Sequence, residues 1–71
     1  MDISITDDYI KLGQALKLAG LVSDGVQAKL VINEGLVQVN NEIDTRRGRK
    51  VYPGDVICYK NQEICISKRS S

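Results

Sequence analysis

Histidine is absent from this 71-residue chain, and cysteine occurs only twice. The first absence removes the commonest general base and the imidazole ligand of metal sites. With Cys58 and Cys65 as the only thiols, a four-ligand thiolate or imidazole zinc site is not assembled within one chain. No run approaches the roughly 20 apolar residues that span a bilayer, so no membrane role is expected. The start, with Asp2, Asp7 and Asp8, lacks the basic opening of a signal peptide, and a cytoplasmic location is expected. Thiols there stay reduced, so the cysteines read as structural residues on a strand pair. If the segment from Lys60 to Glu63 closes a hairpin with two or four loop residues, positions 58 and 65 pair, and a disulfide is geometrically open.

Length sets a further bound. A chain of 71 residues with 42% apolar content makes one small domain. At this size only about 60% of the unfolded surface is buried, which leaves little room for an enclosed pocket and favours function on an exposed face. The acids Asp7, Asp8, Glu34, Glu42, Asp44, Asp55 and Glu63 are scattered, without the spacing of a paired-carboxylate site. No enzyme, cofactor or small-molecule substrate is therefore expected.

What the chain does have is a complete helix-turn-strand unit from Asp24 to Asn41. Asp24 suits an N-cap, Ala28, Val31 and Ile32 fall on one helical face, and Gly35 stands where a left-handed cap needs a residue without Cβ. The helix is expected to stop at Asn33 or Glu34. The period then changes from 3.6 to 2 through Leu36, Val37, Gln38 and Val39, and Asn40-Asn41 suits a tight hairpin turn.

An earlier helix is marked by Leu12, Ala15, Leu16 and Ala19, with Gly20 as its cap, and it is expected over 11–19. Only Leu21, Val22 and Ser23 separate the two helices, which forces them into contact. Strands are expected near 36–40, 56–60 and 63–67, with Pro53-Gly54 as a turn, and Asp2 to Thr6 alternates as a candidate edge strand. The predicted architecture is α+β, with two contacting N-terminal helices on a small, largely antiparallel sheet. Residues 1–67 form the expected single domain, and 68–71 read as a frayed tail.

The clearest chemical signal is Arg46-Arg47-Gly48-Arg49-Lys50, four cations in five residues. The formal charge of the whole chain is +1, so the other 66 residues carry a net −3, and positive charge is concentrated in this run. Arginine's planar fork holds two phosphate oxygens at once, and Gly48 lets the backbone approach a ligand. The alternative is a solvated charged loop.

These residues lie within a pattern that resembles the S4 domain family, an RNA-binding module built on the αL motif. The family's Arg-Leu-Asp opening of helix one stands here as Lys11-Leu12-Gly13, followed by Leu16 and Gly20-Leu21. Its second helix and strand read Ser-Arg-x-x-Ala-Arg-x-x-Ile-x-x-Gly-x-Val-x-Val-Asn-Gly. Asp24, Gly25, Ala28, Lys29, Ile32, Gly35, Val37, Val39, Asn40 and Asn41 hold the named positions. Its Val-x-Pro-Gly-Asp-x-Ile appears as Val51-Tyr52-Pro53-Gly54-Asp55-Val56-Ile57. The resemblance covers residues 11–57, and the pieces LGQALKLAGLV and DTRRGRK are most similar to the small stand-alone bacterial members, the YaaA and YbcJ type.

The departures are Asp24-Gly25 for the family's Ser-Arg and Gly13 for its aspartate. The resemblance implies binding of structured RNA, ribosomal or transfer, with no attached catalytic domain and with a ribosome association. It implies a face in which Lys11 and Lys29 act as point charges, Arg46, Arg47, Arg49 and Lys50 reach from the loop, and the amides opening helix two add donors. Asn40 reads as a turn former rather than a base reader. Tyr52 beside the basic run reads more simply as a packed strand-end ring than as a stacking platform, and Tyr9 and Tyr59 carry no functional signal. A protein-interaction module docking an acidic partner is the alternative function.

Overall fold

A computed structural model describes residues 1–69. A five-stranded sheet in the order β1-β7-β6-β3-β4 is built from β1 (Asp2–Ile5), β3 (Val37–Val39), β4 (Glu42–Ile43), β6 (Val56–Tyr59) and β7 (Gln62–Lys68). Three of its ladders are antiparallel, and β1 joins β7 in parallel at the edge. One face of the sheet carries Ile3, Ile5, Val37, Val39, Ile57, Tyr59, Ile64 and Ile66. These form a single core with Leu12, Ala15 and Leu16 of α1 (Leu12–Leu18) and Ala28, Val31 and Ile32 of α2 (Gly25–Asn33). The period-2 and period-3.6 patterns thus meet in one layer of aliphatic side chains.

Both helices end as the glycines demand. Gly20 and Gly35 have φ of 75° and 76°. In each case the glycine amide and the next one return to the last helical turn, Gly20 to Lys17 and Leu21 to Leu16, then Gly35 to Ile32 and Leu36 to Val31. The short connection over residues 19–24 brings α1 and α2 into contact as expected. Asn40 and Asn41, with φ of 53° and 71°, make the two-residue turn between β3 and β4.

Three expectations need correction. The first helix begins at Leu12, because Lys11 is extended and belongs to a small strand β2 (Ile10–Lys11) paired with β5 (Lys50–Val51). Cys58 and Cys65 are not partners, since the turn is Lys60-Asn61, both at positive φ, and the register sets Cys58 opposite Glu63 and Cys65 opposite Val56. Both thiols are free, on diagonal sites of the outer face. The tail starts later than 68, because Lys68 closes β7 and the Arg69 amide donates to the Ile5 carbonyl at 2.7 Å. Ser70 and Ser71 lie outside the described residues. Among the described residues, no helix is long and apolar enough to cross a membrane.

Candidate nucleic-acid interface

The basic loop is organised by an acid. Asp44 is only 7% exposed, and its amide donates to the Val37 carbonyl at 3.2 Å. Its Oδ1 accepts the Arg46 amide at 2.9 Å and Arg46 Nε at 3.1 Å, while Oδ2 accepts Arg46 Nη2 at 2.8 Å. Arg49 Nη1 lies 3.2 Å from the same Oδ2. The hydrogen bonds from Arg46 outweigh the effect of burial and hold the Asp44 carboxyl at about 2, below the usual carboxylate range. The same contact raises the Arg46 guanidinium. An aspartate two residues before an arginine closes a local Asx turn, and that spacing was the available signal in Asp44-Thr45-Arg46.

The loop then docks on the first helix. The carbonyls of Arg49 and Arg47 accept the amides of Leu12 and Gly13 at 2.9 and 3.1 Å, so the open end of α1 is capped by the basic run itself. The Arg49 amide returns to the Arg46 carbonyl at 3.2 Å, which closes the turn around Gly48. A side chain on Gly13 would displace the arginine, since a Cβ there would stand 2.7 Å from Arg47 Cγ. The position at which the family pattern has aspartate is the place where the Arg47 side chain crosses the helix.

This docking sorts the expected cations into groups. Lys11 and Lys50 are direct partners across the β2–β5 pair, two like charges that local structure alone disfavours. Arg47 and Lys11 line an open groove of about 340 Å³ between the loop and the two helices, together with Gly13, Gly25, Gly48 and Lys17. No acidic side chain lines it. Lys17 was missed, although it stands one helical turn after Gly13 on the same face. Arg46 and Arg49 face the other side of the loop, where a groove of about 320 Å³ is lined by Glu42 and Asp44 as well. Lys29 is exposed on α2 next to Ala28, which borders the first groove, but its own side chain does not line that groove. Among the described residues, Lys11, Lys17, Lys29, Arg47 and Lys50 form no ion pair, whereas Arg46 and Arg49 share Asp44.

The start of α2 is capped in part: among the described residues the amides of Gly25 and Val26 have no protein acceptor, while the next one is taken. Asp24 Oδ1 accepts the Gln27 amide at 2.8 Å, and Gln27 Oε1 in return accepts from the Ser23 amide and hydroxyl. This cap satisfies one of the open amides and adds a negative charge at the helix opening. Asn40 is a turn residue with its side chain engaged: Nδ2 donates to Asp55 at 3.1 Å, and Oδ1 accepts the Val56 amide at 3.0 Å. Tyr59 is buried in the core, but Tyr52 is 48% exposed. The Tyr52 ring stands 5.9 Å from the ring of Tyr9, and Lys50 Nζ lies 4.9 Å over the Tyr9 centroid. Among the described residues, no cluster of three or more potential metal ligands occurs.

Comparison with known proteins places this geometry in a family. A Bacillus subtilis (strain 168) relative described as probable ribosome maturation protein RlbA is 53% identical over 55 residues, 78% of each chain. The putative RNA-binding protein YbcJ of Escherichia coli (strain K12) is 32% identical over 58 residues, covering 82% of this chain and 83% of that one. The solution structure of YbcJ from E. coli, whose description refers to an αL motif involved in RNA binding, superposes with a TM-score of 0.72 at 28% identity. That superposition covers 93% of this chain and 85% of the other. With its two glycine-capped helices on this sheet and a match to the S4 domain model over residues 3–67, the chain belongs to the S4 domain family.

Proposed function

We propose that this domain acts as a non-catalytic RNA-binding module that holds structured RNA by its phosphates. The observation that carries this reading is the convergence of Lys11, Lys17 and Arg47 on one acid-free groove, with Lys50 beside Lys11 at its edge. Local structure brings these like charges together without a neutralising partner, and an anionic ligand with regularly spaced charges relieves that repulsion. Arg46 and Arg49 lie on the other side of the loop with part of their charge offset by Asp44, and with Lys29 on α2 they add positive charge outside this groove. The RNA-binding descriptions of YbcJ support the reading, and the ribosome-maturation description of RlbA favours ribosomal over transfer RNA as the target. Work on RNA also fits a cytoplasmic protein.

The test is a salt series on a structured RNA with wild type, a variant with Arg46, Arg47, Arg49 and Lys50 all changed to glutamine, and Lys29→Ala. Wild-type affinity should fall log-linearly with salt. The loop variant should bind weakly, with a slope flatter by roughly 0.7 to 0.9 for each phosphate it no longer neutralises, and Lys29→Ala should flatten the slope by one phosphate at most. Equal slopes in all three proteins would remove the phosphate reading and leave an acidic protein partner as the ligand of this face.

A further inference from the structure

Beyond the phosphate face, one feature of the structure has no part in phosphate binding: the aromatic pair at its edge. Tyr59 shows what a packed tyrosine looks like in this domain, 3% exposed among the core aliphatics. Tyr52 is roughly half exposed, immediately after the β5 residues Lys50 and Val51. Its backbone is held from both sides by the Pro53-Gly54 turn, with its amide on Asp55 Oδ2 at 2.8 Å and its carbonyl accepting the Asp55 amide at 2.9 Å. The residue is thus anchored through its backbone and about half open to solvent. Behind it stands Tyr9 at 5.9 Å, tilted by 49°, and the Tyr9 ring in turn carries the Lys50 ammonium at 4.9 Å. Lys50 is the cross-strand partner of Lys11, so the aromatic pair continues directly into the cationic groove.

A continuous duplex offers phosphates and sugars along its outside, but its base faces are stacked away from protein side chains. An exposed aromatic ring that adjoins a phosphate-holding groove finds a partner only where a base is splayed out of the helix. Resting on the RNA-binding reading above, we propose that Tyr52, backed by Tyr9 and Lys50, stacks on an unpaired nucleobase. The module therefore selects a bulge or loop beside a helical run of phosphates. Lys11 and Lys50 hold the phosphates flanking the extruded nucleotide, and the tyrosine face receives the base. Selection is for an unpaired base as such, because every base has a π-face.

The experiment uses the full chain and two RNA hairpins, one with a continuous stem and one with the same stem carrying a single bulged 2-aminopurine. Affinity is read by anisotropy and stacking by quenching of the 2-aminopurine fluorescence. Wild type should favour the bulged hairpin by about tenfold, the order expected for one base stacked on an aromatic ring, and should quench the probe. Tyr52→Phe should keep both properties. Tyr52→Leu should lose the preference and the quenching while binding the continuous stem as wild type does, with an unchanged melting midpoint. Equal wild-type affinity for the two hairpins, or an equal loss on both in Tyr52→Leu, overturns this inference and leaves phosphate binding in place. Failure of wild type to bind either hairpin overturns both readings.

Discussion

Gly13 lies beneath Arg47 so closely that a Cβ on the glycine would meet Arg47 Cγ at 2.7 Å, while the Gly13 amide donates to the Arg47 carbonyl at 3.1 Å. Cγ is near the root of the arginine and is tied to a backbone that the helix itself holds, so it has little freedom to retreat. Replacing a helical glycine by alanine ordinarily gains roughly 0.5–1 kcal/mol. Here the clash should consume that gain. Gly13→Ala is expected to leave the melting midpoint unchanged or lower it, and to reduce affinity for structured RNA several-fold by displacing Arg47 from the groove. Thermal unfolding with an RNA titration checks this; a rise of about 4 °C or more with unchanged affinity would show that the contact does not constrain the loop.

Asp44 predicts a dependence of stability on acid. Its folded value of about 2 lies below the ordinary 3.8, so ionised Asp44 stabilises the fold. That contribution is complete above about pH 4 and is lost as pH falls through 2. Unscreened, the shift would correspond to a little over about 2 kcal/mol, and because Arg46 is mostly in water a contribution of about 1 kcal/mol is expected. Asp44→Asn should therefore be less stable than wild type at neutral pH, and the gap should close toward pH 2. Urea unfolding of both proteins at pH 7, 4 and 2.5 measures it. A gap that stays constant with pH would mean that the carboxylate charge is not what holds the loop.

Gly35 ends α2 at φ 76°, with Ile43 Cγ2 already 3.6 Å from where a Cβ would stand. A side chain there adds left-handed strain, and the branches of a valine would crowd Ile43 on β4. Gly35→Val is expected to cost more than about 1 kcal/mol, lowering the midpoint by roughly 4–8 °C. Gly25, with open space where its Cβ would be and no positive φ, provides the control, since Gly25→Ala should not destabilise. Equal midpoints for wild type and Gly35→Val would mean that the strain is relieved elsewhere.

The elements legible in the sequence are those set by local chemistry. Asp24, Gly20, Gly35 and Asn40-Asn41 act within a few residues of themselves, and each is found in the role its side chain suggests. The β2–β5 pair was not legible, because each strand is two residues long and the partners are about 40 positions apart, too short to show a period. The β6–β7 register was missed because Lys60 occupies a positive-φ turn position that lysine rarely takes, which moves the turn one place toward the N-terminus. At the site, the charge run was visible but its division was not. A sequence shows Arg46, Arg47, Arg49 and Lys50 as four equivalent cations, and only the placement of Asp44 separates them.

That division gives Arg46 and Arg47 opposite roles, although they are adjacent and chemically identical. Arg46 commits Nε, Nη2 and its backbone amide to Asp44, so much of its field is cancelled within the protein. Arg47 has no ion-pair partner among the described residues and lines the acid-free groove between the helices. Arg46→Gln should weaken RNA binding little but leave the buried Asp44 short of its main donor, and so lower stability. Arg47→Gln should leave stability within about 0.5 kcal/mol of wild type and flatten the salt dependence of RNA affinity by close to one phosphate's worth. Chemical denaturation and a salt series on both variants make the comparison. If Arg46→Gln proves the worse binder and Arg47→Gln the less stable fold, Asp44 does not divide the loop as the geometry indicates, and the phosphate face must be placed on the opposite side of the turn.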